Sequence, residues 1–95
     1  MKDKIIFITG ATSGIGEGCA RKFASEGANL ILNGRNQDKL NELKVELEAD
    51  FGIEVLLLPF DGRDRERAKV AIESLEGKWK SIDVLVNNAG LVIGF

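Results

Sequence analysis

Histidine and tyrosine are absent from these 95 residues, and cysteine, proline and tryptophan occur once each, at Cys19, Pro59 and Trp79. A single cysteine excludes a disulfide within the chain and suits a reducing compartment, so a cytoplasmic location is expected. With no histidine and no second thiol to work with, Cys19 reads as a small buried apolar residue. No apolar run approaches the roughly 18 residues a membrane span requires, so no membrane partner is expected. The opening MKDKIIFITG does not read as a signal peptide, because its apolar run is short and passes directly into a glycine turn. A basic excess is missing too: 13 Lys and Arg stand against 15 Asp and Glu, a net charge of −2, which argues against a nucleic-acid partner. The length fits one small domain or part of a larger one, burying roughly 60–65% of the surface its unfolded chain exposes.

What is present is organised by four short apolar runs: KIIFITG, ANLILNG, IEVLLLP and IDVLVNN. Each is rich in Ile, Val and Leu without clean alternation, the pattern of strands buried on both faces of a parallel sheet. Three helical patterns separate them. Ile15, Cys19 and Phe23 recur every four residues, with Gly27 as a left-handed stop. Leu40, Leu43 and Leu47 form a second stripe, and Ala68, Ile72, Leu75 and Trp79 a third. The expected order is β-α-β-α-β-α-β, an α/β architecture whose parallel strands need such crossovers. Pro59 follows the third run, where a missing N–H costs little. The charged stretches NQDKLNELKVELEAD and GRDRERAK read as solvated helix faces rather than binding patches.

The segment TGATSGIG, residues 9–16, joins the first strand to the first helix. Gly10, Gly14 and Gly16 have the spacing G-x-x-x-G-x-G, which permits a tight turn and the close approach of a phosphate. The helix starting there offers unpaired N–H groups and a positive dipole end, so a pyrophosphate suits it. Thr12 and Ser13 add hydroxyl donors, and Gly16 lets the helix pack closely on the sheet. A glycine turn alone is weak evidence; a strand before it, a helix after it and a second strand following make the dinucleotide reading specific. At the end of the second strand, dinucleotide folds usually carry a carboxylate for the ribose 2′-hydroxyl. Here NGRN stands at 33–36, with Arg35 after the small Gly34. A guanidinium pairs with a 2′-phosphate that a carboxylate would repel, which favours NADP(H) over NAD(H). The alternative is a solvated loop cation. Asn36 and Lys39 are placed to assist, and Asn36 is also a plausible N-cap.

TGATSGIG at 9–16 together with NNAG at 87–90 resembles the short-chain dehydrogenase/reductase family over the whole chain. The wording NGRNQDKLNELKVEL and W-x-x-IDVLVNNAGLVIG is most similar to the NADP-dependent 3-hydroxy acid dehydrogenases acting on L-serine and L-allo-threonine. The resemblance implies a Rossmann-type three-layer fold with strand order 3-2-1-4, residues 1–95 being its N-terminal dinucleotide-binding part. It also implies that Gly10, Thr12, Ser13, Gly14, Ile15 and Gly16 surround the pyrophosphate, and that Arg35 and Asn36 hold the 2′-phosphate. Asp61, with Gly62 beside it, would lie near the adenine amino group, and Asn88, Ala89 and Gly90 would meet the cofactor. Some NADP-preferring relatives carry a basic residue where Ser13 stands, so the NADP reading rests on Arg35. From the residues alone, the alternative for Asp61 is capping the third helix, and for Asn87 and Asn88 tying loops together.

The family's chemistry uses a Ser, a Y-x-x-x-K pair and a further Asn, all beyond NNAG. This sequence contains no tyrosine, so no catalytic residue is assigned and a truncated dehydrogenase without turnover is expected. A stand-alone nucleotide-binding module and an assembly fragment with a vestigial site are the competing readings. In the implied strand order, residues 82–87 form an apolar edge, and self-association through that edge is expected.

Overall fold

The computed structural model describes residues 1–88. Four strands, β1 (Ile5–Thr9), β2 (Asn29–Asn33), β3 (Val55–Leu58) and β4 (Val84–Asn87), alternate with helices α1 (Gly14–Ser25), α2 (Gln37–Phe51) and α3 (Arg65–Glu73), and a 3-10 turn spans Gly77–Lys80. All strand pairs are parallel, as the apolar runs predict, and the sheet order is β3-β2-β1-β4, as the resemblance implies.

The unbroken apolar runs are explained by burial on both faces. On one side Ile6, Ile8, Leu30, Leu32 and Val55 pack against α1 and α2. On the other, Ile5, Phe7 and Ile31 pack with Leu75, Ile72 and Trp79. Burying each such large side chain contributes about 1.5–3 kcal/mol, so the central strands β1 and β2 hold most of the core. β4 is fastened to β1 at its start: Asp83 Oδ2 accepts the Ile5 N–H at 2.8 Å, and the Asp83 N–H donates to the Ile5 carbonyl at 2.9 Å. Among the described residues β4 is an edge strand, with Val84, Leu85 and Val86 only half-buried.

Two helical stripes differ from expectation. In α1 the residues facing the sheet are Gly16, Ala20 and Ala24, while Ile15 is 74% exposed and Cys19 and Phe23 flank the core. Small side chains let this helix lie close to the strands, so the larger apolar residues fall one position off the contact line. The third helix stops at Glu73. Leu75 lies beyond it and Trp79 sits in the 3-10 turn, both still reaching the same apolar cluster. The α2 stripe of Leu40, Leu43 and Leu47 is buried as read, and Gly27 follows α1 with φ of +85°. No helix among the described residues is long and apolar enough to cross a membrane.

Candidate functional site

The C-terminal ends of β1, β2 and β3 open into a cleft of about 390 Å³. Crevices at this end of a parallel sheet are where α/β folds bind ligands. Seven of the residues singled out in the sequence line it: Gly10, Thr12 and Ser13 from the first turn, Arg35 and Asn36 from the second, and Asp61 and Gly62 from the third. Gly14, Ile15 and Gly16 begin the helix at its rim. Asn88 lies alongside, and Ala89 and Gly90 fall outside the described residues.

The first turn is built by backbone constraints. Gly10 has φ of +61°, a left-handed conformation that favours glycine. A Cβ on Gly16 would lie 2.2 Å from the Gly10 carbonyl oxygen and 2.9 Å from the Ala11 Cα, so only glycine fits this crossing of helix and turn. Ser13 is the N-cap of α1: its Oγ accepts the Gly16 N–H at 3.1 Å and donates to the Gly10 carbonyl at 2.9 Å. The N–H groups of Gly14 and Ile15 meet no acceptor among the described residues and point out of the helix end.

Asn88 joins this turn to the end of β4. Its Nδ2 donates to Ser13 Oγ at 2.7 Å and to the Gly10 carbonyl at 3.2 Å, while its backbone N–H donates to Thr9 Oγ1 at 2.9 Å. The Thr9 hydroxyl in turn donates to Asn87 Oδ1 at 3.1 Å. The tying role considered for the asparagines is thus present in the structure.

At the second turn Asn36 caps α2, its Oδ1 accepting the Lys39 N–H at 3.1 Å. Arg35 is 70% exposed at the cleft mouth, and its Nη1 stands 3.9 Å from Asp61 Oδ2. Asp61 does not cap the third helix. That cap is Asp64, whose Oδ1 accepts the Arg67 N–H at 3.1 Å. Asp61 instead holds Arg63, accepting its backbone N–H at 2.9 Å and its guanidinium at 3.2 and 3.1 Å. The Arg63 guanidinium and N–H, aided by the charge of Arg35, lower the Asp61 carboxyl to about 2.

Three residues of the site went unread in the sequence: Thr9, Asn33 and Arg63. Asn33 is fully buried, and its Nδ2 donates to the Leu58 carbonyl at 2.9 Å and the Phe60 carbonyl at 3.0 Å. Its Oδ1 is buried with no partner. The Ala11 N–H donates to the Asn33 carbonyl at 2.8 Å, so this residue links all three turns. The only available signal was a polar residue closing an apolar strand, which does not show what it meets.

The arrangement suits a dinucleotide. The N–H groups at the glycine turn that meet no acceptor could receive a pyrophosphate, and the exposed Arg35 guanidinium at the cleft mouth could pair with a further phosphate. No group of three or more His, Cys, Asp or Glu is placed to hold a metal ion among the described residues.

The short chain dehydrogenase family model matches residues 4–94. The NADP-dependent 3-hydroxy acid dehydrogenase YdfG of Salmonella typhi is 44% identical over 90 residues, covering 95% of this chain and 35% of that protein. The serine 3-dehydrogenase of Rhizobium radiobacter is 43% identical over 90 residues, covering 94% of this chain and 34% of that protein. Among solved structures, L-sorbose reductase from Gluconobacter frateurii, complexed with NADPH and L-sorbose, superposes with a TM-score of 0.86 at 39% identity, over 95% of this chain and 34% of that one. Serine dehydrogenase from Escherichia coli gives 0.80 at 42% identity, over 95% and 40%. The chain spans about a third of the length of the curated relatives it matches.

Proposed function

Because the chain belongs to the short chain dehydrogenase family, we propose that it is the NADP(H)-binding portion of an oxidoreductase acting on a secondary alcohol or ketone. The observation that carries this reading is that Gly10, Thr12 and Ser13 of the first turn and the exposed Arg35 line one cleft, and that the helix following this turn starts with the acceptor-free Gly14 and Ile15 N–H groups. The nicotinamide of NADP(H), when bound, supplies the hydride. The residues in hand bind and orient: the first turn holds the pyrophosphate, Arg35 and Asn36 the 2′-phosphate, and Asp61 and Gly62 the adenine side. Ala89 and Gly90 belong to the same proposal on the strength of the NNAG motif. Relatives named for 3-hydroxy acid and serine dehydrogenation support a 3-hydroxy acid such as L-serine or L-allo-threonine as substrate class. These 95 residues contain no tyrosine, so the phenol that serves as general acid and base in the family is not among them, and on their own they bind without turnover.

Calorimetric titration of NADPH, NADH, adenosine 2′,5′-bisphosphate and 5′-AMP into the chain tests the reading. The 2′-phosphorylated ligands are expected to bind more tightly, and Arg35→Ala to lose about ten-fold in affinity for them alone, as befits a charge-assisted pair. Equal binding with and without the 2′-phosphate rejects NADP(H), and no nucleotide binding favours an assembly role. The half-buried edge strand β4 supports self-association. Sedimentation velocity is expected to show concentration-dependent dimers, and a monomer at all concentrations refutes that part.

A further inference from the structure

The cleft mouth carries three charged groups, of which Arg35 and Asp61 have been given ligand-directed roles and Arg63 none. Asp61 faces Arg35 from the third turn, and Arg63 follows two residues later on the same wall. The contacts within this trio are unequal. Arg35 makes one long approach to Asp61, at 3.9 Å. Arg63 closes on both carboxylate oxygens, Nε to Oδ1 at 3.2 Å and Nη2 to Oδ2 at 3.1 Å, and its backbone N–H adds a third bond at 2.9 Å.

The inequality matters for an anionic ligand. A carboxylate within reach of Arg35 would cancel the charge that attracts a phosphate and would repel the phosphate directly. Arg35 and Asp61 alone make a neutral pair; with Arg63 the trio is positive. Because the fork of Arg63 already occupies both Asp61 oxygens, Arg35 can turn to a ligand without leaving a bare carboxylate behind. Arg63 is 66% exposed, so solvent screening limits the effect to that of a surface charge.

We propose that Arg63 is a specificity-determining residue: by neutralising Asp61 it leaves the charge of Arg35 to the 2′-phosphate, and so favours 2′-phosphorylated nucleotides without touching the phosphate itself. This rests on the NADP(H) reading above. A purely structural Arg63, locking the turn before α3, would change stability and leave ligand preference alone.

The test compares adenosine 2′,5′-bisphosphate with 5′-AMP by calorimetry on the full chain, the ratio of the two dissociation constants being the preference. Any adenine contact cancels in that ratio. Arg63→Gln is expected to lower the preference about five-fold, the scale of an exposed charge interaction. Arg63→Lys, which keeps the charge, is expected to stay within about two-fold. The double variant Asp61→Asn with Arg63→Gln is expected to restore the wild-type preference, because the carboxylate is then gone; asparagine Oδ1 can still accept the N–H of residue 63. An unchanged preference in Arg63→Gln overturns the inference. A fall that Asp61→Asn does not restore also overturns it, since Arg63 then meets the phosphate directly. A wild-type chain with no preference removes the NADP(H) reading and this inference together, whereas a wild-type preference that Arg63→Gln leaves intact removes only the latter.

Discussion

Replacing Gly16 by alanine is the most direct probe of the first turn. The added Cβ would lie 2.2 Å from the Gly10 carbonyl oxygen and 2.9 Å from the Ala11 Cα, and both of these are backbone atoms. No side chain can swing away, so the turn or the helix must move by about an ångström. Overpacking costs about 1–3 kcal/mol, and the upper end applies where backbone meets backbone. Alanine returns about 1 kcal/mol through better helix propensity. The net loss is therefore about 2 kcal/mol, or roughly 8–16 °C in melting temperature for a domain of this size. Gly18, two residues on in the same helix, has nothing within 4 Å of its Cβ position. Gly18→Ala should keep the propensity gain alone and raise the melting temperature by about 4–8 °C. Thermal unfolding followed by far-UV circular dichroism reads both. The reasoning fails if Gly16→Ala melts at or above the wild type, or if both variants shift in the same direction.

Two further outcomes follow from buried and paired polar groups. Asn33→Ala strips donors from the Leu58 and Phe60 carbonyls and should cost about 2–3 kcal/mol in urea denaturation; Asn33→Asp, nearly identical in shape, should cost more, because a buried carboxylate cannot donate to either carbonyl. Similar midpoints for Asn33→Asp and wild type would contradict that account. The Asp61 carboxyl is depressed from 3.8 to about 2, so its pairing with Arg63 is complete above the ordinary carboxylate range and is lost only as pH falls through about 2. A carboxyl-carbon NMR titration of Asp61 should show that midpoint, and one near 3.8 would mean the pair does not form in solution.

Strand positions were legible because a parallel sheet imprints continuous apolar runs, and each of the four runs contains its strand; the sheet order was not in those runs and came from the family resemblance. α2 was legible because Leu40, Leu43 and Leu47 carry bulk on the buried face. α1 was misread for the opposite reason: its contact face is made of Gly16, Ala20 and Ala24, whose smallness is the point and whose apolar signal is weak. The glycine turn and Arg35 announced themselves by local pattern, and Asp61 through the family resemblance. Asn33 did not, because its meaning lies in carbonyls 25 and 27 residues away; Arg63 did not, because it stands in a charged stretch that reads as a solvated helix face, although the carboxylate it grips is only two residues back. Asp61 was read both as a ligand residue and as a cap, and local pattern could not separate these; Asp64 takes the cap.

The register of β1 has a bearing on how the molecule assembles. Its neighbour on one side begins at Asn29, but on the other side Ile5 must find Asp83, 78 residues along the chain. Closing the longer loop costs about 1 kcal/mol more in chain entropy, so β4 is expected to dock last, onto a three-stranded β3-β2-β1 intermediate. During synthesis the flank of β1 then stays open until nearly the whole of this segment has emerged. Pulse-labelled hydrogen exchange should find the Leu85 and Val86 amides protected after that of Ile31, and the asparagine stitch to the first turn completed only at that final step.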